Sequence, residues 1–375
     1  MVEIKQIDPN DKKDVREFVK FHYDLYQGCP QWVPPFMIDV EMMLNKNKHP
    51  FYEHSDADFF EAFKDGKMVG RIATIENKPY NKHHQSKTAT FYLFDTINDP
   101  EVAQALLDTL EDWARKRGLN KIVGPKGFSA LDGYGILVEG YEHRQMMNMM
   151  NYNYPYYPGL FENNGYHKEN EFVSCYIKKE DYRIPEKVHE VSRRIKERGT
   201  LWVKSFTNKR ELKQWAGRIG PAYNAAFVNN WEYYPLTARE IKYTVDNVLT
   251  VAIPQLIKLI LHGDDIVGFL FIFPDVSAAM QRHGGHLNLI SLIDLMIEMK
   301  RTKWVAINGA GVLPEFHGRG ANALLYTESE ETLRGMGYQE VEQTQMADTA
   351  VQVRKDMETL GARIYKRHRI YAKDL

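Results

Sequence analysis

The sequence has few of the features that mark secreted, metal-binding or membrane proteins. Cysteine occurs only twice in 375 residues, at Cys29 and Cys175, and neither has a Cys-x-x-Cys partner. A disulfide framework is therefore not expected, and a reducing compartment fits the composition. The first residues lack the apolar core of a signal peptide, and no apolar run approaches the length of a membrane-spanning helix. We therefore expect a cytoplasmic protein with no membrane span.

Charge and motif content narrow the function further. The formal net charge is -1, with 43% hydrophobic and 26% charged residues, so we expect a globular protein with no general attraction to nucleic acid. The chain contains no Gly-x-Ser-x-Gly elbow, Walker loop or zinc finger. His283 and His286 form an isolated pair without a ligand cluster beside them. We interpret them as part of a solvated loop and expect no metal.

One segment, residues 312–322, predicts an anion-binding loop. An apolar strand ends before Pro314, and a loop with two glycines leads into an apolar helix. The first turn of a helix leaves N–H groups without internal partners, and these donors and the helix dipole attract phosphate. The chemistry that fits is a pyrophosphate on a nucleotide or on coenzyme A. The residues expected to bind it are Val312, Leu313, His317, Gly318, Arg319, Gly320, Ala321 and Asn322.

This segment resembles motif A of the GNAT superfamily of acyl-CoA N-acyltransferases, whose pattern is Val-x-Pro-x-x-Arg/Gln-Gly-x-Gly-x-Gly/Ala. The matching residues are Val312, Pro314, Gly318 and Gly320. His317 stands where Arg or Gln is usual, and we expect its backbone N–H to be free for the ligand. Asn322 replaces a small residue and is expected to crowd the pyrophosphate. The resemblance implies acetyl-CoA or another acyl-CoA as a substrate.

The chain also contains two weak copies of one pattern. Residues 59–73 and 256–270 each predict a β-hairpin, with Asp-Gly or Gly-Asp-Asp at the turn and Val-Gly early in the second strand. In each copy a helix then ends at glycine before a strand, at Gly118 and at Gly337. The second copy has a helix-like insertion around residues 287–301, and the first has an insertion around residues 127–151. Two repeats of this length favour a duplicated domain.

The order of elements implies the tandem form of the same superfamily. Several segments resemble a widespread bacterial family of tandem GNAT proteins that has no settled substrate, namely residues 32–35, 50–54, 135–141, 153–158 and 365–371. The resemblance implies an α/β fold of tandem duplicated GNAT-like domains, each with a mixed, mostly antiparallel sheet flanked by helices. We expect a degenerate domain over residues 1–180 and a domain with the coenzyme A motif over residues 181–375.

The first copy is not expected to bind coenzyme A. Asp99 predicts an N-cap and Pro100 a first helical residue, where the second copy has its glycines. Asp99 and Glu101 place negative charge where a pyrophosphate would lie, and Pro100 removes an amide. The first copy would serve as scaffold and as a wall for the substrate.

Catalytic residues are harder to assign. In GNAT proteins a backbone N–H polarises the thioester carbonyl, and the resemblance places that group near Leu313. The usual tyrosine acid precedes a Leu-Gly pair, but Met357 occupies that position before Leu360 and Gly361. The remaining candidates for proton transfer are Tyr365, Tyr326 and Glu315.

A soft, aromatic segment, residues 146–157, has two interpretations. Its methionine and tyrosine side chains can line a pocket for an apolar group, or they can pack between domains. The candidate pocket residues are Met146, Met149, Tyr154 and Tyr156.

Three functions stay open at this stage. The first is an acyl-CoA-dependent N-acyltransferase, with acetyl-CoA as donor, acting on a small-molecule amine by direct attack. The second is a coenzyme A-binding sensor or interaction protein without catalysis, which Met357 and Asn322 favour. The third is a transferase of a long acyl chain or an aminoacyl group. The acceptor and the oligomeric state cannot be deduced from these residues.

Overall fold

The structure, a computed structural model, describes residues 1–129, 132–147, 149–228, 230–231 and 233–375. Strands and helices are interspersed along the chain. The strands are β1 (Val2–Gln6), β2 (Asp56–Lys64), β3 (Lys67–Glu76), β4 (Thr88–Thr96), β5 (Lys121–Gly124), β6 (Ile136–Glu139), β7 (His167–Lys178), β8 (Trp202–Ser205), β9 (Ile257–His262), β10 (Asp265–Pro274), β11 (Trp304–Val312), β12 (Glu340–Ala347) and β13 (Arg363–Asp374).

The helices fall between these strands. They are α1 (Lys12–Leu25), α2 (Met37–Leu44), α3 (Lys78–His84), α4 (Pro100–Lys116), α5 (Tyr157–Asn163), α6 (Glu186–Arg198), α7 (Lys209–Phe227), α8 (Ala238–Val251), α9 (Ser277–Arg282), α10 (Leu289–Arg301), α11 (Ala321–Gly335) and α12 (Val351–Thr359). Short 3₁₀ turns cover Pro50–Glu53, Pro254–Leu256 and Pro314–Phe316. No helix within the described residues is both long enough and apolar enough to span a bilayer.

The chain forms two compact units. The first contains Met1–Val173, Val276–Glu298 and Lys366–Leu375, and the second contains Ser174–Asp275 and Met299–Tyr365. Two boundaries fall inside β7 and β13, because each of these strands begins in one unit and ends in the other. The other two fall after β10, between Asp275 and Val276, and inside α10, between Glu298 and Met299. The division of the sequence repeat between residues 180 and 181 stays a prediction.

Each unit holds a mixed sheet of the same design. In the first unit the strands follow the order β1-β2-β3-β4-β5-β13, and in the second they follow β8-β9-β10-β11-β12-β7. One neighbouring pair in each sheet is parallel, β4 with β5 and β11 with β12, and the hairpins are antiparallel. The chain's last strand therefore completes the first unit, while β7, from the first half of the sequence, lies beside β12. Sequence patterns had not indicated this exchange.

Both sheets carry a β-bulge at the same place. Between the pairs Arg71↔Asp95 and Ala73↔Tyr92, β4 has one residue more than β3. Between the pairs Leu270↔Ala310 and Ile272↔Ile307, β11 has one residue more than β10. The backbone at each bulge has positive φ, 48° at Leu93 and 111° at Gly309. An extra residue bends a strand and ends its regular pairing. Each bulge therefore turns the end of its strand away from the parallel neighbour.

Helices cover the apolar faces of the sheets. In the first unit α4 buries Val102, Leu106 and Leu110 completely against the strands, in a period typical of an amphipathic helix. Each such side chain contributes about 1.5–3 kcal/mol when it leaves water. In the second unit α11 buries Leu324 and Leu325 in the same way. The N-terminus of each of these helices thus lies just after a bulged strand.

Candidate functional site

The predicted anion-binding loop lies between β11 and α11 in the second unit. After Val312 the chain makes a 3₁₀ turn over Pro314–Phe316, and Gly320 precedes the helix as its N-cap. Gly318 and Gly320 both have left-handed backbone conformations, with φ of 71° and 85°. Glycine adopts these values without the steric cost that a β-carbon imposes. The two glycines therefore set the path of the loop into the helix.

The loop presents several backbone donors together. Within the described part of the chain, the N–H groups of Gly318, Gly320, Ala321, Asn322 and Ala323 donate to no protein acceptor. The first intrahelical bond at this end runs from Leu324 N–H to Gly320 O, over 3.3 Å. Free amides at the positive end of a helix dipole form an anion site. The residues present therefore suit a pyrophosphate.

The two glycines differ in what surrounds them. A β-carbon on Gly320 would lie 2.3 Å from Cδ1 of Ile195 on α6, so a side chain here would have to displace Ile195. A β-carbon on Gly318 would meet nothing within 4 Å. Gly318, Arg319 and Asn322 are all exposed, and the Arg319 guanidinium lies over the Phe316 ring at 5.2 Å. Substitutions at Gly318 therefore test the loop with the least disturbance of the core.

His317 acts differently from expectation. Its backbone N–H donates to Pro314 O over 3.1 Å, so the prediction that this N–H is free was wrong. A 3₁₀ turn uses that donor, and no sequence pattern had indicated the turn. The side chain instead contributes a hydrogen bond, since Nε2 lies 2.9 Å from Val312 O. His317 therefore holds the loop against the end of β11.

Two backbone N–H groups, those of Val312 and Leu313, lie where the resemblance places the donor to a thioester carbonyl. Leu313 N–H donates to Val267 O over 2.9 Å, and so it is not free to polarise a thioester carbonyl. Successive residues of an extended strand direct their N–H groups to opposite edges. Val312 N–H therefore points to the other edge of β11, on the side of β12. Val312, rather than Leu313, provides the candidate donor.

The edge of β11 beside β12 is open beyond the bulge. Parallel pairing of the two strands runs from Trp304↔Glu340 to Ile307↔Gln343, although β11 continues to Val312 and β12 to Ala347. Within these fully described strands no later pair is formed. Gln345 on β12 has φ of 57°, which is unusual for a residue with a β-carbon. The backbone is thus irregular in both strands that border the opening, β11 and β12. Of these two positions, only Gly309 is a residue type that indicates an irregular backbone in the sequence.

The first unit has the equivalent loop in a closed form. As predicted, Asp99 is the N-cap of α4 and accepts from Glu101 N–H over 3.0 Å, while Pro100 is the first helical residue. The Lys64 ammonium binds the carboxylates of Asp99 and Glu101, at 2.7 and 2.8 Å. Protein groups therefore occupy the place where the second unit has free amides.

The opening beside the bulged strand is also filled in the first unit. Gly70 pairs with Thr96 as Gly268 pairs with Val312, so Thr96 is the counterpart of Val312. Thr96 N–H donates to the hydroxyl of Tyr157 over 3.1 Å, and Tyr156 donates to Thr96 O over 2.7 Å. Two tyrosine hydroxyls thus satisfy this stretch of backbone.

The soft, aromatic segment packs within the first unit. Met146 is buried and Met149 is half-buried, while Asn148 lies outside the described residues. The Tyr154 ring stacks on Tyr26 at 4.9 Å, and its hydroxyl donates to Leu25 O over 3.2 Å. Tyr154 and Tyr156 therefore use their hydroxyls on the protein's own main chain. Their suggested place in an acceptor pocket stays a prediction.

The candidates for proton transfer have unequal surroundings. Tyr326 donates to the Asp356 carboxylate over 3.1 Å, and burial, aided by that carboxylate, raises the pKa of its hydroxyl well above the usual range. Tyr365 packs edge-on against Tyr176 at 5.1 Å, and Glu315 is exposed in the 3₁₀ turn. Met357, at the position of the usual tyrosine, is buried. The geometry brings none of these groups into an evident catalytic pair.

The histidine pair is not arranged as a ligand set. His283 Nε2 lies 3.0 Å from the Asp294 carboxylate, while His286 is exposed. Among the described residues, no group of three or more His, Cys, Asp or Glu side chains is placed to hold a metal ion.

No protein-family model matches the chain. It is 25% identical to Protein YghO of Escherichia coli (strain K12) over 372 residues, and this alignment covers 97% of this chain and 94% of that protein. It is also 25% identical over 374 residues to the bacterial ceramide synthase of Caulobacter vibrioides (strain NA1000 / CB15N), covering 96% of this chain and 95% of the relative.

Solved structures resemble it over its full length. A tandem GNAT protein from the clavulanic acid biosynthesis pathway superposes with a TM-score of 0.56 and 12% identity, covering 100% of this chain and 98% of the other. The chain therefore has the fold of tandem GNAT proteins.

Proposed function

We propose that this protein transfers an acyl group from a coenzyme A thioester to an amine, using the second unit as the catalytic domain. The observation that carries the proposal is the set of free amides from Gly318 to Ala323 at the N-terminus of α11. The relatives with GNAT and synthase names support acyl transfer as the reaction class.

The pyrophosphate of coenzyme A would bind at this loop. Amide donors and the helix dipole neutralise its charge without a metal ion, and Arg319 adds a cation at the exposed rim. The glycine at 318 leaves room for a phosphate to approach the backbone. The first unit would bind no second molecule, because Asp99 and Glu101 repel anions there.

The thioester would lie along the open edge of β11. A carbonyl that accepts from Val312 N–H becomes more electrophilic, and the donor stabilises the negative charge that develops on its oxygen. The amine nitrogen bonds to the carbonyl carbon, the carbon–sulfur bond breaks and coenzyme A leaves as a thiolate. The proton that the amine loses is taken up by that thiolate, directly or through water, which gives the free thiol. No cysteine or serine nucleophile is needed for this direct attack.

The acceptor class is suggested by a full-length relative. A ceramide is a long-chain amino alcohol whose nitrogen carries an acyl group, and the Caulobacter relative is named for making it. We therefore propose a long-chain amino alcohol as the acceptor to test first, with a fatty acyl-CoA beside acetyl-CoA as donor.

The test is release of free coenzyme A thiol. The protein is incubated with acetyl-CoA or palmitoyl-CoA, each with sphinganine or with a panel of amino acids and polyamines. We expect thiol release that needs both substrates, and an amide product by mass spectrometry. Donor binding without release on any amine would contradict the transferase.

A non-catalytic coenzyme A-binding protein is the second candidate. The observation that favours it is the burial of Met357 where a proton donor is usual, since a thioether has no proton to give. It predicts the same affinity for coenzyme A and for acyl-CoA, with no turnover. Calorimetric titration with the two ligands separates it from the transferase.

A further inference from the structure

The helix α10 presents its apolar side to solvent. Leu289 and Ile290 are 75% and 71% exposed, and Met296 and Ile297 are 57% and 53% exposed. Leu287, Leu292 and Ile293 on the same stretch exceed 40%. Single exposed apolar residues are common on protein surfaces, but a contiguous patch of this kind marks an interaction site.

The polar side of α10 faces the protein. Ser291 is 1% exposed and Glu298 is 6% exposed, which reverses the arrangement of an ordinary surface helix. Arg282 binds the Asp294 carboxylate with two hydrogen bonds, of 2.8 and 3.0 Å, and reaches Glu298 at 2.6 Å. These ion pairs therefore fix the orientation of the helix, and this orientation directs its apolar side chains to solvent.

The start of the helix is fixed as well. Asn288 Oδ1 accepts from Ser291 N–H over 3.0 Å, and Ser291 Oγ accepts from Asn288 N–H over 2.7 Å. This reciprocal cap satisfies donors at the N-terminus of the helix. The apolar face thus begins at a defined residue.

The charge on this surface indicates its partner. Over residues 287–301, all of which are described, both acidic side chains lie on the inward side with Arg282. Lys300 projects from the outward side, in the same helical period as Leu289, Ile293 and Met296, and is exposed. The same stretch of a second copy would offer Lys300 no outward carboxylate, whereas an anionic lipid headgroup would pair with it.

We propose that α10 docks this protein on an anionic lipid membrane surface, lying in the interface with its apolar side toward the acyl chains. An apolar helical face can lie in a lipid interface, and a cation at its end adds attraction to anionic headgroups. The Lys300 stem can lie along the apolar layer while its ammonium stays at the headgroups. The proposal concerns attachment and does not depend on the proposed reaction.

The test is flotation with lipid vesicles, without acyl-CoA or amine. Wild-type protein should float with vesicles that contain phosphatidylglycerol and bind at least several-fold less to phosphatidylcholine alone. The double variant Leu289→Ser/Ile293→Ser should lose binding by roughly tenfold or more, because two exposed anchors no longer leave water. Lys300→Glu should abolish the preference for the anionic lipid.

The matched control is Val351→Ser/Val353→Ser on α12, whose side chains are 48% and 44% exposed. This control should float like wild type. Wild-type flotation by the double variant would overturn the proposal, as would a wild-type dimer in light scattering that the double variant converts to monomer. The second result would assign the face to another copy of the chain.

Discussion

Thr96 N–H donates to the Tyr157 hydroxyl over 3.1 Å, at the position where the second unit leaves Val312 N–H on an open strand edge. The same bulged strand is thus closed by a side chain in one unit and left open in the other. This difference, together with the carboxylates of Asp99 and Glu101, supports the proposal that the ligand binds in the second unit.

Removal of the Tyr157 hydroxyl should affect stability alone. Tyr157→Phe leaves the buried Thr96 N–H without its acceptor, which costs about 1–3 kcal/mol of unfolding free energy. Coenzyme A affinity should not change. Urea denaturation and calorimetry measure the two effects. Tyr154→Phe is the matched control, because its hydroxyl binds a more accessible carbonyl, and its loss should be smaller. Weaker coenzyme A binding by Tyr157→Phe would contradict the assignment of the site.

The binding loop is best tested at Gly318. Gly318→Asp adds a carboxylate in open space beside the free amides, and Gly318→Asn adds the same shape without the charge. Asparagine and aspartate both tolerate positive φ, so the pair isolates electrostatics. We expect Asp to weaken coenzyme A binding about tenfold to hundredfold relative to Asn. Equal affinities would show that the pyrophosphate lies elsewhere. Gly320→Asp is a poorer test, because it would collide with Ile195.

Binding should saturate at one coenzyme A per chain. Asp99, Glu101 and Lys64 close the loop of the first unit, and Pro100 supplies no amide. Isothermal titration at protein concentrations well above the dissociation constant gives the stoichiometry. Two equivalents, with the second retained by the Gly318→Asp variant, would show that the first unit also binds.

Much of this arrangement follows from local sequence signals. Asp65 and Gly66 at a hairpin turn and Asp99 before Pro100 are short-range signals, and the structure confirms the elements they predict. The contact between Thr96 and Tyr157 joins residues far apart in the chain, so no local pattern reveals it. The bulge at Leu93 is equally hidden, because leucine rarely adopts positive φ. The inward polar face of α10 depends on Arg282, and hydrophobic periodicity alone would have buried the opposite side.

Tyr326 should prove to be a structural residue. Its hydroxyl donates to Asp356, and its raised pKa keeps it neutral. Tyr326→Phe should lower the unfolding free energy by about 0.5–1.5 kcal/mol and leave kcat and its pH profile unchanged. Asp356→Asn retains an acceptor and serves as the control. A loss of about a hundredfold in kcat, with the basic limb of the pH profile shifted, would instead identify Tyr326 as the general acid.

His368 should make the protein less stable in mild acid. The side chain is 1% exposed, Nε2 lies 2.8 Å from Asn151 O, and Nδ1 has no hydrogen-bond partner among the described residues. Burial, with a smaller effect of the Lys366 charge, lowers the pKa of His368 from 6.5 to about 3. The folded state therefore binds fewer protons than the unfolded state between these values. The stabilisation from this neutral imidazole is fully present above the pKa that His368 has in the unfolded state. It is lost as the pH falls toward the pKa that His368 has in the folded state.

This one group should lower the unfolding free energy by about 1.4 kcal/mol for each pH unit below pH ~6.5. The loss from His368 should therefore reach about 2 kcal/mol at pH ~5. Urea unfolding of wild type and of His368→Gln at these two pH values measures the difference. The variant should be less sensitive to pH by that amount, because glutamine cannot take up the proton. His286→Gln, at an exposed position, is the matched control for the loss of one histidine. Parallel pH dependence of wild type and His368→Gln would mean that the buried imidazole is not held neutral.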